Sequence, residues 1–346
     1  MLKVAVAGAT GYMGAELLRL LVGHPKVELT AVTSERSAGG ELTRLVPSLR
    51  GHLSLRLEAL DPARLARAAD VVFLALPHTH AMAVVPELLG AGKRVIDLSA
   101  DYRLKDIAVF KEWYRTPHAD PAHLSGAVYG LPELHRKAIA GASLVANPGC
   151  YPTGAILALG PLLARGLVSR DGIIIDSKSG VTGAGKTLDT RYLFTEANEN
   201  LQAYSVANHR HTPEMEQELS GIAGGVVRLT FTPHLIPLNR GLLTTAYGTL
   251  SGATDASTLR EAFQDSYRRE PFIRLLPEGE LPQVRAVLAS NYCDIGFALD
   301  RRVGRVIVLS AIDNLGKGGA AQAVQNLNIM LGWDERTGLE APPAYP

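Results

Sequence analysis

Cysteine is scarce in this chain of 346 residues, which contains only Cys150 and Cys293. Two cysteines do not make a disulfide scaffold, and the count is typical of a reducing compartment. The charges are nearly balanced, because the chain has 35 Lys and Arg residues and 34 Asp and Glu residues. Its net charge therefore does not favour a nucleic-acid or membrane partner. No apolar run reaches the ~18 residues of a membrane span, and residues 4–7 are too short for a secretory signal. We therefore expect a cytoplasmic protein that binds a small molecule.

The first hundred residues alternate between short apolar runs and helical patterns. Helices are predicted at residues 12–22 and 79–89, and buried strands at residues 3–7, 27–33, 71–76 and 94–98. Such alternation implies right-handed crossovers and a parallel sheet covered on both faces. The first domain, residues 1–149, is therefore predicted to be α/β, with a doubly wound parallel sheet of the Rossmann type.

The rest of the chain follows a different pattern. Strands are predicted at residues 172–177, 226–236, 242–250, 292–299 and 305–312, with few helices between them. This succession favours a mixed or antiparallel sheet and hence a second domain of α+β type at residues 150–315. A final helix is predicted at residues 316–331, where apolar side chains recur at helical spacing.

A glycine-rich turn follows the first predicted strand and opens the first helix. It is a spacing variant of the dinucleotide fingerprint, in which glycines let the backbone approach a pyrophosphate at the amino end of a helix. The alternative is a tight turn with no ligand, which the position between strand and helix makes less favoured. The candidate cofactor-binding residues of this turn are Gly8, Thr10, Gly11, Tyr12, Met13 and Gly14.

The end of the second predicted strand bears on the choice of cofactor. A site that prefers NAD places an acidic residue there, whereas this chain has Ser34-Glu35-Arg36-Ser37. Ser34, Arg36 and Ser37 could hold a 2′-phosphate, with Arg36 supplying a forked donor, so NADP is the predicted cofactor. Glu35 weakens this argument, and a solvated surface arginine is the alternative interpretation of Arg36.

Cys150 lies in the segment NPGCYPT, residues 147–153, directly after a predicted strand. Pro152 suits a first helical turn, so Cys150 is expected at a helix start, where N–H groups and the helix dipole stabilise a thiolate. The alternative is a small buried hydrophobic residue, which is the interpretation that we give to Cys293. A nucleophilic cysteine combined with a hydride cofactor suggests thioester or thiohemiacetal chemistry.

Such chemistry needs an acid or base, and the segment HRHTPE, residues 209–214, is the candidate. His209 and His211 carry the side chain best suited to proton transfer near neutral pH, and Arg210 could bind an anionic group of the substrate. The alternative is a pair of surface histidines on the loop before a helix. No cysteine or third histidine lies at ligand spacing, so no metal site is predicted.

Seven stretches of the chain together resemble the N-acetyl-gamma-glutamyl-phosphate reductase family, in the wider aspartate-semialdehyde-dehydrogenase-like group. They are GATGYMG (8–14), LALPHTHA (74–81), DLSADYRL (97–104), NPGCYPT (147–153), SKSGVTGAGK (177–186), HRHTPE (209–214) and AIDNLGKGGA (311–320). The cysteine and histidine motifs are specific, whereas the glycine turn is shared with many unrelated proteins. The stretches span nearly the whole chain in a consistent order.

The resemblance implies roles for individual residues. Cys150 would be the acylated nucleophile and His211 the acid/base, with His209 and Glu214 nearby. Arg103 would bind the leaving phosphate, and Asn314 would contact the nicotinamide amide. The other candidate substrate-binding residues are Asn147, Ser177, Ser179, Gly180 and Thr182.

The resemblance also implies an activity and an assembly. The enzyme would use NADPH to reduce an acyl phosphate to a semialdehyde in arginine biosynthesis. Residues 316–346 would complete the first domain, and strands near residues 226–250 would help to form the interface of a homodimer or homotetramer.

Three alternatives remain open at this stage. A lysine-pathway reductase would act on an acyl phosphate tethered to a carrier protein, but that branch lacks the motif NPGCYPT. Aspartate semialdehyde dehydrogenase also has a different cysteine motif. A non-catalytic Rossmann redox sensor would need neither an activated cysteine nor the HRH segment.

Overall fold

A computed structural model describes residues 1–345, which divide into two compact units. The first unit comprises residues 1–148 and 319–341, and the second comprises residues 149–318 with the last described residues from 342 onward. Each unit contains one seven-stranded sheet.

The sheet of the first unit is entirely parallel, with the strand order β3-β2-β1-β4-β5-β7-β6. Its strands are β1 (Leu2–Ala7), β2 (Val27–Thr33), β3 (Leu57–Glu58), β4 (Val71–Leu74), β5 (Arg94–Asp97), β6 (Val128–Tyr129) and β7 (Leu144–Ala146). Its helices are α1 (Tyr12–Val22), α2 (Leu42–Leu45), α3 (Pro62–Ala68), α4 (Val85–Gly90), α5 (Ile107–Tyr114), α6 (Pro121–Leu124) and α7 (Pro132–Ala140), together with α12 (Ala321–Met330). The strands are short apolar runs, because both faces of the sheet are covered.

The register of this sheet aligns the carboxyl ends of its central strands. Ala7 of β1 pairs with Thr33 of β2 and with Leu74 of β4, and Leu74 in turn pairs with Asp97 of β5. The loops that follow these strands therefore leave the sheet at one edge, which is where α/β proteins bind ligands.

The sheet of the second unit is mixed, with the order β12-β13-β14-β11-β8-β10-β9. Its strands are β8 (Ile173–Gly180), β9 (Gln202–Ala203), β10 (Leu229–Ile236), β11 (Leu242–Thr249), β12 (Ile273–Leu275), β13 (Cys293–Asp300) and β14 (Arg305–Ile312). Its helices are α8 (Cys150–Ala164), α9 (Phe194–Ala197), α10 (Thr212–Ala223) and α11 (Ala256–Tyr267). Most pairings are antiparallel, and β8–β10 and β12–β13 are parallel.

Helix α8 is the central element of the second unit. Every residue from Tyr151 to Leu163 is buried, as the apolar composition of the whole helix requires. The helix packs on β11 and β14 and against α10 and α11. Its first residue, Cys150, is therefore fixed by a fully packed helix.

Two predicted helices differ from the structure. Residues 79–89 do not form one helix, because Thr79 has a left-handed backbone (φ 72°) and a short 3₁₀ turn at Ala81–Ala83 precedes α4. The final helix begins with a π-turn at Gly316–Ala320 before α12 starts. Glycines in that turn weaken regular α-helix formation, whereas the predicted bounds of α1, β2 and β14 agree with the structure.

Candidate active site

The glycine turn of the first unit has no room for a side chain at Gly8 or Gly14, but it has room for one at Gly11. A Cβ at Gly8 (φ 84°) would lie 2.2 Å from the carbonyl oxygen of Ala75, and a Cβ at Gly14 would lie 2.2 Å from that of Gly8. Gly11 precedes α1, and no atom other than the Gly8 oxygen at 3.6 Å is near its would-be Cβ. No side chain caps the amino end of α1. The turn thus leaves room for a pyrophosphate at the amino end of a helix that no side chain caps.

The candidate residues for the adenosine end of the cofactor lie after β2. The hydroxyls of Thr10 and Ser34 are 2.8 Å apart, so the glycine turn is joined to this segment. Oε1 of Glu35 accepts a hydrogen bond of 2.6 Å from the backbone N–H of Leu60, while the side chain of Arg36 is exposed. The carboxylate of Glu35, which argued against NADP in the sequence, is therefore bound to the protein backbone.

Arg103 and Asn147, two candidate substrate-binding residues, lie together in the first unit. The buried Arg103 guanidinium donates from Nε to the carbonyl of Asn147 at 2.8 Å and from a terminal nitrogen to that of Leu98 at 2.9 Å. The Asn147 side chain donates to the carbonyl of Gly319 and accepts from Asn326. Both side chains therefore also brace the backbone that leads into the cysteine motif.

Asp97 at the end of β5 is a buried carboxyl group near Arg103. It accepts hydrogen bonds from the backbone and hydroxyl of Ser99 at 2.9 and 2.8 Å. Burial, and secondarily the charge of Asp101, raises the pKa of Asp97 to about 7. No sequence pattern indicates this pKa shift, since it depends on the complete burial of the group.

Cys150 is the first residue of α8, as predicted, and it is half-buried. Gly149 precedes it as the N-cap residue, and the Gly149 N–H donates to Oε1 of the buried Glu214 at 2.8 Å. A Cβ at Gly318 would lie 2.8 Å from the Cβ of Cys150, so main chain covers this side of the cysteine. Cys150 thus lies at the amino end of α8, whereas Cys293 is fully buried in β13.

The two candidate histidines have different surroundings. Nε2 of His211 would lie 2.5 Å from a Cβ at Gly149, so this imidazole packs on the residue directly before the nucleophile. Nδ1 of His209 accepts a hydrogen bond of 3.1 Å from the backbone N–H of His211. Burial, together with the charge of Arg210, lowers the pKa of His209 to about 4. His209 is therefore neutral near pH 7 and supports the HRH loop, while His211 is the imidazole next to Cys150.

Two tyrosines that no sequence pattern singled out complete this part of the site. The hydroxyl of Tyr204 donates to that of Tyr151 at 3.0 Å, and both rings contact His209 edge-on. Burial raises the pKa of both phenols, so they remain neutral hydrogen-bonding groups. Tyr204 lies in no recognised motif, so only the folded chain shows its proximity to Tyr151.

Thr182 and Asn314 lie together in the second unit. The Asn314 amide donates to the Thr182 hydroxyl at 3.0 Å and accepts from the Gly241 N–H at 2.7 Å. The Thr182 hydroxyl donates to the carbonyl of Asn239 at 2.6 Å. Asn314 thus ties together two loops of the second unit.

The predicted residues of β8 are buried rather than open to solvent. The hydroxyl of Ser177 is 2.9 Å from that of Thr244, and that of Ser179 donates to the carbonyl of Gly180 at 3.0 Å. A Cβ at Gly180 would lie within 3.0 Å of the backbone of residues 238–240. These contacts show a packed polar layer beneath α8, since Thr244 also approaches Gly154 of that helix.

Asp313, which no sequence pattern singled out, organises the turn before α12. Its buried carboxylate accepts from Arg240 and from the backbone N–H groups of Ala289, Leu315 and Gly316. A carboxylate that receives several backbone N–H bonds fixes the course of the chain around it. This fixes the turn that brings Gly318 against Cys150.

Curated proteins resemble this chain over its full length. An N-acetyl-gamma-glutamyl-phosphate reductase from Desulforudis audaxviator is 53% identical over 346 residues, and one from Geobacter sulfurreducens is 55% identical over 347 residues, each covering 100% of both chains. The chain belongs to the N-acetyl-gamma-glutamyl-phosphate reductase family. This confirms the resemblance that the sequence motifs indicated.

Family models divide this reductase-family chain into two matched regions. Residues 3–142 match the NAD binding domain of semialdehyde dehydrogenase, and residues 150–314 match its dimerisation domain. Within residues 1–345, no helix is long and apolar enough to cross a membrane, and no group of three or more His, Cys, Asp or Glu side chains is arranged to hold a metal ion.

Solved structures show the same fold at low sequence identity. Aspartate semialdehyde dehydrogenase II from Vibrio cholerae, complexed with ASA, matches with a TM-score of 0.72 at 20% identity, covering 96% of this chain and 98% of its own. Aspartate semialdehyde dehydrogenase with NADP from Candida albicans matches with a TM-score of 0.66 at 18% identity, covering 95% and 99%. These matches confirm the predicted fold class of a Rossmann-type sheet with a second α+β domain.

Proposed function

We propose that this chain reduces N-acetyl-L-glutamyl 5-phosphate to N-acetyl-L-glutamate 5-semialdehyde and phosphate with NADPH, a step of arginine biosynthesis. The observation that carries the proposal is the arrangement of Cys150 at the start of α8 with the His211 imidazole packed on Gly149. The amino end of a helix favours a thiolate, and an imidazole can transfer a proton near neutral pH, so this arrangement supports the proposal.

Cys150 is the nucleophile of the proposed reaction. Its thiolate attacks the acyl carbon, the carbon–sulfur bond forms, and the bond to the phosphate oxygen breaks to release inorganic phosphate. Arg103 is the candidate to bind the phosphate group, since a guanidinium offers a forked set of donors. The product of this step is a thioester on Cys150.

His211 is the acid/base of the proposed reaction. In its protonated form it donates to the oxyanion that forms on reduction of the thioester, which gives a hemithioacetal. It then takes the hydroxyl proton back as the carbon–sulfur bond breaks, so that the semialdehyde leaves and Cys150 returns to the thiolate. Neutral His209 and the bond from Gly149 to Glu214 hold the loop and the helix end in place.

NADPH, when bound, supplies the hydride for this reduction. The glycine turn fits a dinucleotide because Gly8 and Gly14 have no room for a side chain and the amino end of α1 is uncapped by side chains. The Thr10–Ser34 pair and the exposed Arg36 are the candidates to hold the 2′-phosphate, and Glu35 accepts a hydrogen bond from the N–H of Leu60.

Arg36→Ala should raise the KM for NADPH by about tenfold or more, because one charge-assisted hydrogen bond is worth about 1.5–3 kcal/mol. The KM for NADH should change by less than about twofold, since NADH carries no 2′-phosphate for this donor. Arg50→Ala, which removes another exposed arginine of the same unit, is the control. Equal effects on both cofactors would reject the assignment of Arg36.

The reaction itself is tested in the reverse direction. The purified chain, given N-acetylglutamate semialdehyde, phosphate and NADP⁺, should form NADPH continuously, followed by its absorbance. Without phosphate the thioester on Cys150 accumulates, so NADPH should form in a burst of about one equivalent per active site and then stop. Failure to reduce NADP⁺ with the free semialdehyde, but reduction with a carrier-linked one, would assign the chain to the lysine-pathway alternative.

We also propose a homo-oligomer, a dimer or a tetramer, in the cytoplasm. The match of residues 150–314 to a dimerisation domain supports the assembly, as do the exposed apolar side chains of Leu188, Leu193 and Phe194 in the second unit. A reducing compartment keeps the thiol of Cys150 in its reactive form.

A further inference from the structure

The loop after β4, residues 75–82, borders the dinucleotide site of the first unit. Its first carbonyl, that of Ala75, lies against Gly8 of the glycine turn. In the sheet, β2 lies on one side of β1 and β4 lies on the other. The crevice between the loops that follow β1 and β4 is therefore the topological switch point. Because the 2′-phosphate candidates follow β2, the opposite end of a bound dinucleotide would extend towards the loop after β4.

This loop is held in a strained conformation. Thr79 has φ 72°, a left-handed backbone that is sterically unfavourable for a residue with a Cβ. Such a conformation persists only where the surrounding structure over-determines it. The side chain of Thr79 is exposed, so packing of that side chain does not supply the constraint.

Asp101, a fully buried residue, supplies the constraint that holds Thr79 in this conformation. Its Oδ1 accepts a hydrogen bond of 2.6 Å from the Thr79 N–H, and its Oδ2 accepts one of 3.2 Å from the Met82 N–H. A third bond runs in the same region, from the Ala100 N–H to Nδ1 of His78 at 3.1 Å. One carboxylate thus binds both ends of the turn that contains the strained residue.

Asp101 is itself fixed from two sides. Its N–H donates to the hydroxyl of Ser99 at 3.2 Å, and its carbonyl accepts from Nε2 of His118 at 2.7 Å. The carboxylate therefore acts as a rigid support.

We propose that Asp101 is a positioning residue that holds residues 77–82 in the shape required to receive the nicotinamide half of the dinucleotide. The proposal rests on the proposed use of NADPH. Asp101 acts through the loop and does not touch the reacting atoms.

Asp101→Asn tests this role, because an amide keeps the size of the side chain but can accept only at one atom. We expect the Kd of NADPH, measured by the fluorescence of the reduced nicotinamide, to rise by about tenfold, the cost of one charge-assisted hydrogen bond. The rate of Cys150 alkylation, which reports on the second unit, should stay unchanged. The matched control is Asp120→Asn, a buried carboxylate that binds Tyr102 and His123 and makes no bond to the loop.

A second substitution separates positioning from general destabilisation. Thr79→Gly in the Asp101→Asn background should recover part of the affinity for NADPH, because glycine adopts φ 72° without steric cost. Thr79→Pro should weaken NADPH binding as Asp101→Asn does, since proline removes the N–H and excludes this φ, and the exposed position lets the variant fold.

Three results would overturn the proposal: an unchanged Kd in Thr79→Pro, an equal loss in Asp120→Asn, or no rescue by Thr79→Gly in a folded Asp101→Asn protein. Failure of the proposed function has a different signature, since the unmodified chain would then not reduce NADP⁺ with the free semialdehyde and phosphate, whatever the Kd values of the Asp101 and Thr79 variants.

Discussion

Cys150→Ala should lower reductase turnover by at least about 10⁴-fold, since the loss of a covalent nucleophile removes the whole thioester route. The variant should still bind NADPH with unchanged affinity, because the glycine turn and Arg36 belong to the other unit. Turnover is measured in the reverse assay, and binding by nicotinamide fluorescence. Residual activity within about tenfold of the unmodified chain would contradict a nucleophilic role.

Alkylation provides an independent check on the same residue. Iodoacetamide should modify Cys150 faster than Cys293, because Cys150 is half-buried at a helix start whereas Cys293 is fully buried in β13. Modification should abolish turnover, and the acyl phosphate should protect. The matched control is Cys293→Ala, which should be alkylated and inactivated at the same rate. If both cysteines are alkylated at the same rate and the chain shows no reductase turnover, the redox-sensor alternative would be favoured.

His211→Ala should lower kcat/KM by about 10²–10⁴-fold, the usual contribution of general acid–base catalysis. His209→Asn is the comparison, because the asparagine oxygen can replace Nδ1 as the acceptor for the His211 N–H. We expect this variant to lose less than about tenfold, since His209 supports the loop and transfers no proton. If His211→Ala lowers kcat/KM by less than about threefold, the proton would instead be transferred by His209 or by water.

The pH dependence separates the two histidines further. The pKa of His209 is lowered to about 4 in the folded chain, below the 6.5 of an ordinary histidine. Between these values the unfolded chain binds a proton that the folded chain does not, so His209 reduces the free energy of unfolding as the pH falls from 6.5 towards 4. His209→Asn should flatten this dependence by up to about 1.4 kcal/mol per pH unit, measured by denaturant unfolding. An unchanged slope would show that His209 is not buried as a neutral group.

Features that depend on neighbouring residues were predictable from the sequence. Pro152 and the preceding glycine placed Cys150 at the start of α8, and Thr212-Pro213 marked the start of α10. The glycine turn between β1 and α1 was recognisable for the same reason, since its spacing is set by the local course of the backbone.

Features that depend on distant residues were not predictable. The helix expected at residues 79–89 is interrupted because Asp101, 22 residues after Thr79, holds that residue in a left-handed conformation. The bond from Leu60 that occupies Glu35 and the pairing of Tyr204 with Tyr151 also join positions far apart in the chain. No periodicity or motif records such contacts, so the supporting residues of the site emerged only from the fold.

The two glycines beside Cys150 bear on the design of covalent inhibitors. A methyl group at Gly149 would collide with His211, and one at Gly318 would collide with Cys150 itself. A substitution at either glycine would therefore displace the nucleophile or its neighbouring imidazole. An electrophile that packs against these glycines should leave the enzyme few routes to resistance at either position.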